Sequence, residues 1–581
     1  MSQQTSRWRI RLVLSLVLLV GGLFVMRLFF IQIVKGEHYA DMADRQYLNS
    51  PTTFNRGSIY FQDRKGNLVS AATLKQQFTL TVNPQLIKDI EGTYTKLASV
   101  APLAREDFME KVQKKGSVHA ELAKELSDKQ AEAINTFDLP GVFLVKEKRR
   151  FYPAGMTAAH VLGFMAFQDE EYAGRYGLEK YYENVLQHEQ TGSFASFFAE
   201  VFLGFGKNLL AAPGATKEGD LVLTIEPVVQ NAAERELAAA IDKWGADAGG
   251  VVVMDPHTGA IVAMAAIPDF DPGQKVSDIN ILPNPLVERV FEMGSVMKPL
   301  TMAAGFDAGV VNPETTFNDK GSVTLNNRTI MNFDLKTRGT VTMQEVINNS
   351  LNTGMVFVMQ QLGRERFRQY MLGYGLGEKT GIDLPGEISG LVSGLSSKEE
   401  VNYATAAFGQ GIAVTPIEAT RALASLSNGG NIVTPYVVKS VRYADGTTKE
   451  TQPQVVRQVI SRTASDTITN VLVHTVDDAL VGGKYRMERY AVAAKTGTAQ
   501  IVGPGGKYYD DRYLHSFFGY FPAYNPKFIG FMYIVYPKNG ARYASETLTE
   551  NFMNLTKFMI NYYELPPDRE GVQRQAVTLQ L

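Results

Sequence analysis

Three short stretches carry residues able to do chemistry together. Gly294-Ser295-Val296-Met297-Lys298-Pro299 sets a serine and a lysine three positions apart. A serine hydroxyl is a weak nucleophile until a neighbouring base takes its proton. A lysine serves as that base only where desolvation or a nearby cation lowers its pKa. Ser350-Leu351-Asn352 adds a second hydroxyl, able to relay a proton between base and leaving amine, and a carboxamide that offers a donor and an acceptor to a substrate amide. Lys495-Thr496-Gly497-Thr498 adds a cation and two hydroxyls suited to a carboxylate, with a glycine that lets a substrate backbone approach as if adding a strand. Each stretch alone is ordinary: S-x-x-K falls by chance on surface helices, and Ser and Asn are turn residues. Their joint order, S-x-x-K then S-x-N then K-T-G, is what makes one candidate site for nucleophilic catalysis by serine.

The elements that must position these residues are readable nearby. Pro299 is tolerated only in the first turn of a helix, so a helix should begin close to Ser295. That start puts the hydroxyl near the positive end of the helix dipole and sets Ser295 and Lys298 on one face. Met343 to Asn349 has a helical pattern, leaving Ser350 in the loop after it, and the stretches Tyr490–Ala494 and Ala499–Val502 read as strand on either side of Lys495. Leu221–Ile225 reads as a strand, Glu226–Trp244 as a long helix, and Gly249–Met254 with Ala260–Ala266 as a hairpin turning at Asp255-Pro256-His257-Thr258-Gly259. Helices and strands alternate to about Glu564, and the residues from Pro566 read as a loose polar tail.

Upstream, Phe78–Val82 alternates like a strand and Glu121–Asn135 reads as a charged surface helix. Phe194, Phe197, Phe198, Val201, Phe202, Leu203 and Phe205 crowd together, either as a helix packing on its own domain or as an amphipathic segment touching membrane or partner. Ala211-Ala212-Pro213-Gly214 with Lys217-Glu218-Gly219 reads as an inter-domain linker.

At the amino terminus Arg7, Arg9 and Arg11 precede a largely apolar run, Leu12–Met26, which Arg27 interrupts and Leu28–Val34 continues. Together the two parts reach the length a membrane-spanning helix needs. The arginines ahead of it favour an inside amino terminus and an outside body. No A-x-A-like cleavage site follows, so an uncleaved anchor is expected rather than a signal peptide. The resulting plan is a cytoplasmic tail over 1–11, a transmembrane anchor over 12–34, an N-terminal domain over 35–219, a catalytic domain over 220–565 and a tail over 566–581.

Composition narrows the classes. With 581 residues, 45% hydrophobic, 20% charged and a net charge of −2, the chain is an ordinary globular one of more than one domain with no nucleic-acid-binding footprint. The absence of cysteine excludes disulfides, thiolate nucleophiles and cysteine metal sites. Seven scattered histidines include no metal-ligand spacing, so neither a metal nor another cofactor is expected.

On these motifs the chain resembles the class B penicillin-binding proteins, and the likeness extends over nearly its whole length. Arg56-Gly57-Ser58-Ile59-Tyr60 with Asp63-Arg64-Lys65-Gly66 resembles that family's R-G-x-I-x-D-R-x-G opening, with Phe61 and Gln62 inserted. Arg150-Phe151-Tyr152-Pro153, His160–Phe164 and Gly177-Leu178-Glu179 resemble its pedestal segments, and Leu223–Gln230 its entry to the catalytic domain. The resemblance implies a penicillin-recognising α/β (α+β) serine transpeptidase fold: a five-stranded antiparallel sheet with flanking helices and a helical subdomain, preceded by an elongated α+β pedestal of the dimerisation type. It implies that Ser295 is acylated by a peptidoglycan stem peptide ending in D-Ala-D-Ala, or by a β-lactam. Lys298 would be the base, Ser350 and Asn352 would assist, and Lys495, Thr496, Gly497 and Thr498 would bind the donor. The backbone N–H groups of Ser295 and Thr498 would form the oxyanion hole. No glycosyltransferase pattern precedes the linker, so a monofunctional enzyme is implied, paired with a SEDS-type glycan polymerase at the outer face of the cytoplasmic membrane. Phe408-Gly409-Gln410-Gly411 followed by Thr415-Pro416 looks closer to the division branch than to the elongation branch.

Two departures touch the pocket: Met293 stands where the family usually has proline, and Leu351 where it usually has a small or polar residue. The motifs leave open a D,D-carboxypeptidase, in which water takes the acyl group. A β-lactam-binding sensor would need a cytoplasmic effector region, for which about ten residues are available here, and a degenerate scaffold would not need the intact residue set.

Overall fold

The computed structural model describes residues 55–569 apart from 115, 169–170 and 188–217. The expected anchor, the phenylalanine cluster of 194–205, most of the linker and the tail beyond 569 lie outside the described residues. Among the described residues no helix is long and apolar enough to cross a membrane. Contacts divide the chain into two units, one formed by residues 74–149 and one by 56–73, 150–187 and 218–569.

In the smaller unit the second half of the strand Leu68–Val82 pairs antiparallel with Ala120–Leu126, and the helices Ile90–Ala98, Arg105–Gln113 and Asp128–Thr136 pack a core around Leu80, Leu97, Phe108 and Leu126. The charged helix expected over Glu121–Asn135 is therefore half strand. Leu122 and Leu126, four apart, suit either period, and a bulge decides it: Leu80 faces Ala123 while Phe78 faces Leu126, and Glu125 takes a φ of 62°. The strand Ala120–Leu126 takes six steps against its partner's four between Val82 and Phe78, and both leucines reach the core. Ser127 then starts a new helix through a capping box with Gln130.

In the larger unit Ile59–Gln62 lies antiparallel to the start of Leu68–Val82 and parallel to Gly219–Leu223, which pairs in turn with Val438–Tyr443. Beside this sheet the sequence signatures Arg56, Arg150 and Glu179 converge. The Glu179 carboxylate is fully buried and accepts Arg56 Nε and Arg150 Nε at 2.6 Å each, while Arg56 also reaches Glu183 at 2.7 Å and Tyr152 donates to Glu179 at 3.2 Å. Burial pushes the Glu179 carboxyl up, but the two guanidinium groups outweigh it and hold the group below the usual carboxylate range.

The catalytic sheet has five strands: β1 (Ala248–Met254), β2 (Ile261–Ile267), β3 (Ala493–Val502), β4 (Tyr508–Phe521) and β5 (Phe528–Val535). Every neighbouring pair is antiparallel, in the order β3-β4-β5-β1-β2. β1 is apolar without interruption because both faces are covered, and its alternation sorts residues between two cores. Val252 and Met254 face one core; Val251 and Val253 face the other. Helix α1 (Pro227–Trp244) opens with Pro227 in its first turn, the Glu226 side chain capping Val229 N at 2.7 Å, and closes on Gly245 in the left-handed region. On the opposite face lie α2 (Lys298–Asp307), α3 (Met343–Asn348) and α4 (Asn352–Leu362), whose Leu300, Val346 and Met355 join the larger core. Helix α5 (Thr549–Tyr562) packs with α1 through Phe552, Met559 and Leu237.

The first residues of the expected loose tail are tied down. Asp568 accepts the backbone N–H groups of Ala491 at 2.7 Å and Tyr524 at 2.9 Å, and Arg569 pairs with Asp477 at 2.7 Å. A carboxylate that satisfies two backbone donors gives a polar segment a fixed place that composition does not reveal.

Candidate active site

The structure brings all three motifs to one place. Ser295 sits on a single 3-10 turn, Gly294–Met297, that runs straight into α2, so the α-helix proper starts at Lys298 and not at the serine. Pro299 occupies its first turn as expected. Gly294 has a φ of 65°, and a Cβ there would stand 2.8 Å from the Thr498 carbonyl, so only glycine lets the serine turn lie against β3. Gly497 answers it from the strand: a Cβ there would meet Ser516 Oγ at 2.5 Å, Met293 O at 2.7 Å and Val296 N at 2.9 Å. The glycine of K-T-G thus allows close packing against the Ser295 turn, in addition to the substrate approach expected of it.

Lys298 is fully buried. Its Nζ donates to the Ser350 backbone carbonyl and to Ser350 Oγ at 3.1 Å, and among the described residues no carboxylate pairs with it. Burial, and then the charge of Lys495, hold the amine well below its ordinary value. Ser350 follows α3 with a φ of 54°, rare for a side-chain-bearing residue, and that conformation turns the chain into α4, which begins at Asn352. The carbonyl gripped by Lys298 belongs to this strained residue. Asn352 is half-buried and its Nδ2 donates to the Met331 carbonyl at 2.9 Å.

On β3 the side chains alternate: Lys495 and Gly497 are buried, Thr496 and Thr498 half-exposed. Lys495 Nζ donates to the Thr496 carbonyl at 3.0 Å, and burial pushes its amine down to about 8. Thr498 Oγ1 accepts from Ala544 N at 3.2 Å, which leaves the hydroxyl hydrogen available to a ligand.

Both departures in the motifs are buried. Leu351 is fully buried in the main core, and Met293 is 1% exposed with its carbonyl accepting Ser516 Oγ at 2.8 Å. Sequence reasoning missed the residues that hold the motifs in place. Gly409 accepts the Gly294 N–H at 3.1 Å, and Ala407 accepts the Thr301 hydroxyl at 2.8 Å, so the Phe408–Gly411 stretch supports the serine turn from below. Asp319, Asn332 and Thr353 form a buried polar group behind Asn352. Polar residues far apart in the chain carry no local signal of such a convergence.

Residues 249–555 match the penicillin binding protein transpeptidase domain, and residues 51–194 the penicillin-binding protein dimerisation domain. The chain is 33% identical to stage V sporulation protein D of Bacillus subtilis, over 99% of this chain and 88% of that one. It is 26% identical to the peptidoglycan D,D-transpeptidase FtsI of Escherichia coli, over 97% of this chain and 93% of the other. Among solved structures it is similar to penicillin binding protein 3 of Mycobacterium tuberculosis, with a TM-score of 0.63 and 28% identity over 73% of this chain and 92% of that one.

Proposed function

The chain belongs to the penicillin-binding proteins, and from that premise we propose that it is a peptidoglycan D,D-transpeptidase working through an acyl-enzyme on Ser295. The observation that carries this reading is Lys298: a fully buried amine, without a carboxylate partner among the described residues, held against Ser350 and three residues from Ser295. Burial, and then the charge of Lys495, lower the Lys298 amine well below its ordinary value, the direction a lysine base requires.

Neutral Lys298 takes the Ser295 proton as Oγ attacks the carbonyl of the donor's penultimate D-alanine. The oxyanion is stabilised by the backbone N–H groups of Ser295 and Thr498. The peptide C–N bond breaks, and the departing D-alanine receives its proton through the Ser350 hydroxyl. The amine of a second stem peptide then attacks the ester and gives up a proton, the ester C–O bond breaks, and Ser295 recovers its hydrogen. Asn352 holds the donor amide, while the Lys495 ammonium with the Thr496 and Thr498 hydroxyls holds the donor's terminal carboxylate. A β-lactam enters as the donor does and leaves its ring-opened ester on Ser295.

The anchor expected over 12–34, with the catalytic domain on the outer face of the cytoplasmic membrane, and a SEDS-type polymerase as partner complete the proposal. Septal wall synthesis is the role supported by the Phe408–Gly411 and Thr415-Pro416 signature and by likeness to FtsI. The 33% identity to a protein named for stage V of sporulation favours a second role, in sporulation.

Incubation with benzylpenicillin followed by intact-mass and peptide mapping tests the assignment. One covalent adduct on the peptide carrying Ser295 is expected; an adduct on another residue, or none on folded protein, overturns it. The pH profile gives a second check. Carboxylate binding needs the Lys495 ammonium, whose burial sets its discharge near pH 8, so kcat/KM on a thioester donor should fall as pH rises through about 8. Lys495→Arg, which stays charged, should move that fall to higher pH. An unmoved alkaline limb would remove Lys495 from the donor's carboxylate.

A further inference from the structure

Asp319 has no place in the chemistry described so far, yet it is the most heavily hydrogen-bonded carboxylate near the site. It ends the short strand Thr316–Asp319 and is completely buried. Its Oδ1 accepts Thr353 Oγ1 at 2.8 Å, Gly321 N at 2.9 Å and Asn332 Nδ2 at 3.0 Å; its Oδ2 accepts Asn332 Nδ2 at 3.1 Å and Arg338 N at 3.2 Å. Every one of these partners is a donor, and the Arg338 guanidinium is engaged elsewhere, with Asp334. A buried carboxylate surrounded by uncharged donors fixes their positions, because losing any one of them leaves an unmet acceptor in a dry setting.

The two side chains it fixes are the two anchors of Asn352. Thr353 is the next residue in α4, so its hydroxyl pins the backbone from which the Asn352 carboxamide springs. Asn332 is the next residue after Met331, whose carbonyl takes the Asn352 Nδ2 hydrogen at 2.9 Å. Asn332 also closes the loop on itself: its Oδ1 accepts Thr353 N at 3.3 Å and lies 3.1 Å from Thr353 Oγ1, whose one hydrogen it shares with Asp319. Asn332 and Thr353 are 1% and 3% exposed, so water does not substitute for either contact. One carboxylate thereby sets both the origin of the Asn352 side chain and the acceptor that orients its amide.

We infer that Asp319 is a positioning residue for acylation, acting through Asn332 and Thr353 to aim the Asn352 carboxamide at the donor amide. This rests on the reading of Asn352 as a donor-binding residue. It differs from a purely structural role in one respect: its effect on the reaction passes through Asn352 and vanishes when Asn352 is gone.

The test is a cycle of Asp319→Asn, Asn352→Ala and the double variant in the full-length protein. Each is measured for the rate of Ser295 labelling by a fluorescent penicillin, for kcat and KM on a thioester donor, and for thermal unfolding. Asp319→Asn presents an amide hydrogen to neighbours that already donate, and should slow labelling by about tenfold to a hundredfold. The double variant should be no slower than Asn352→Ala alone. Multiplying effects in the double variant, or an unchanged labelling rate in Asp319→Asn, would overturn the inference. Should Asp319→Asn fail to fold, Thr353→Val removes a single donor while Thr353→Ser keeps it. Slow labelling by the first, restored by the second, is expected, and equal rates for both would count against the role. If wild-type protein takes no label at all, the transpeptidase reading itself fails, whereas labelling of wild type with additive variants fails the positioning role alone.

Discussion

Lys298→Met should slow acylation of Ser295 by about a thousandfold while leaving a folded protein, because the variant deletes the base and keeps the side chain's length. The same variant reports on charge through stability. In the folded chain burial, and then Lys495, depress the Lys298 amine well below its ordinary value of 10.5. The unfolded chain therefore binds one more proton than the folded chain between that depressed value and 10.5, and wild-type stability rises with pH across the interval. The slope from one such group is at most about 1.4 kcal/mol per pH unit. The variant lacks this contribution, so wild type should gain stability relative to Lys298→Met as pH is raised towards 10.5. Thermal unfolding midpoints of both proteins at several pH values check the claim. Parallel pH dependence would mean that Lys298 is charged in the fold, and the mechanism would lose its base.

Glu179→Ala should have the largest effect on the fold itself. It leaves two buried guanidinium groups, Arg56 and Arg150, without the carboxylate that they share. Breaking a buried ion pair from one side costs about 3–5 kcal/mol, which is a large part of the stability of an ordinary domain. Soluble yield and the unfolding midpoint should both fall sharply, and penicillin labelling should be lost with them. Because the Glu179 carboxyl is held below the usual range, its contribution to wild-type stability is present at neutral pH and disappears only as the medium is acidified below that range. An unfolding midpoint within a degree or two of wild type would show that the fold does not depend on the carboxylate the two arginines share.

The candidate site was legible in the chain because its residues lie in three short windows, each with its own local context: a proline that limits where a helix starts, a helical run before Ser350, a strand around Lys495. Even there, local rules set the limit of resolution. Pro299 permits a helix from Ser295 onward, and only the packing of Gly294 against Thr498 shows that the serine rides on a 3-10 turn instead. The reading of Glu121–Asn135 failed because two leucines four apart satisfy both periods until pairing with Leu80 and Phe78 selects one. Asp319, Asn332 and Thr353 were illegible for a different reason. Each is an unremarkable polar residue in its own window, and the carboxylate acquires meaning only when a short strand, a loop and a helix start are folded onto it. Family resemblance marked the stretches that hold Arg56, Arg150 and Glu179 but not that they meet, since nothing local announces contacts across 123 and 29 positions.

The clamp at Asp568 bears on where the chain tolerates being shortened. Its two acceptor oxygens hold Ala491, two residues before β3 begins, and Tyr524, just after β4 ends. Those strands are neighbours, and the first of them carries Lys495. A protein cut back to Leu565, where helix and sheet are already complete, would lose the fastener at the ends of β3 and β4. The last tie that holds this sheet therefore lies beyond the last element of regular structure, at Asp568 and Arg569.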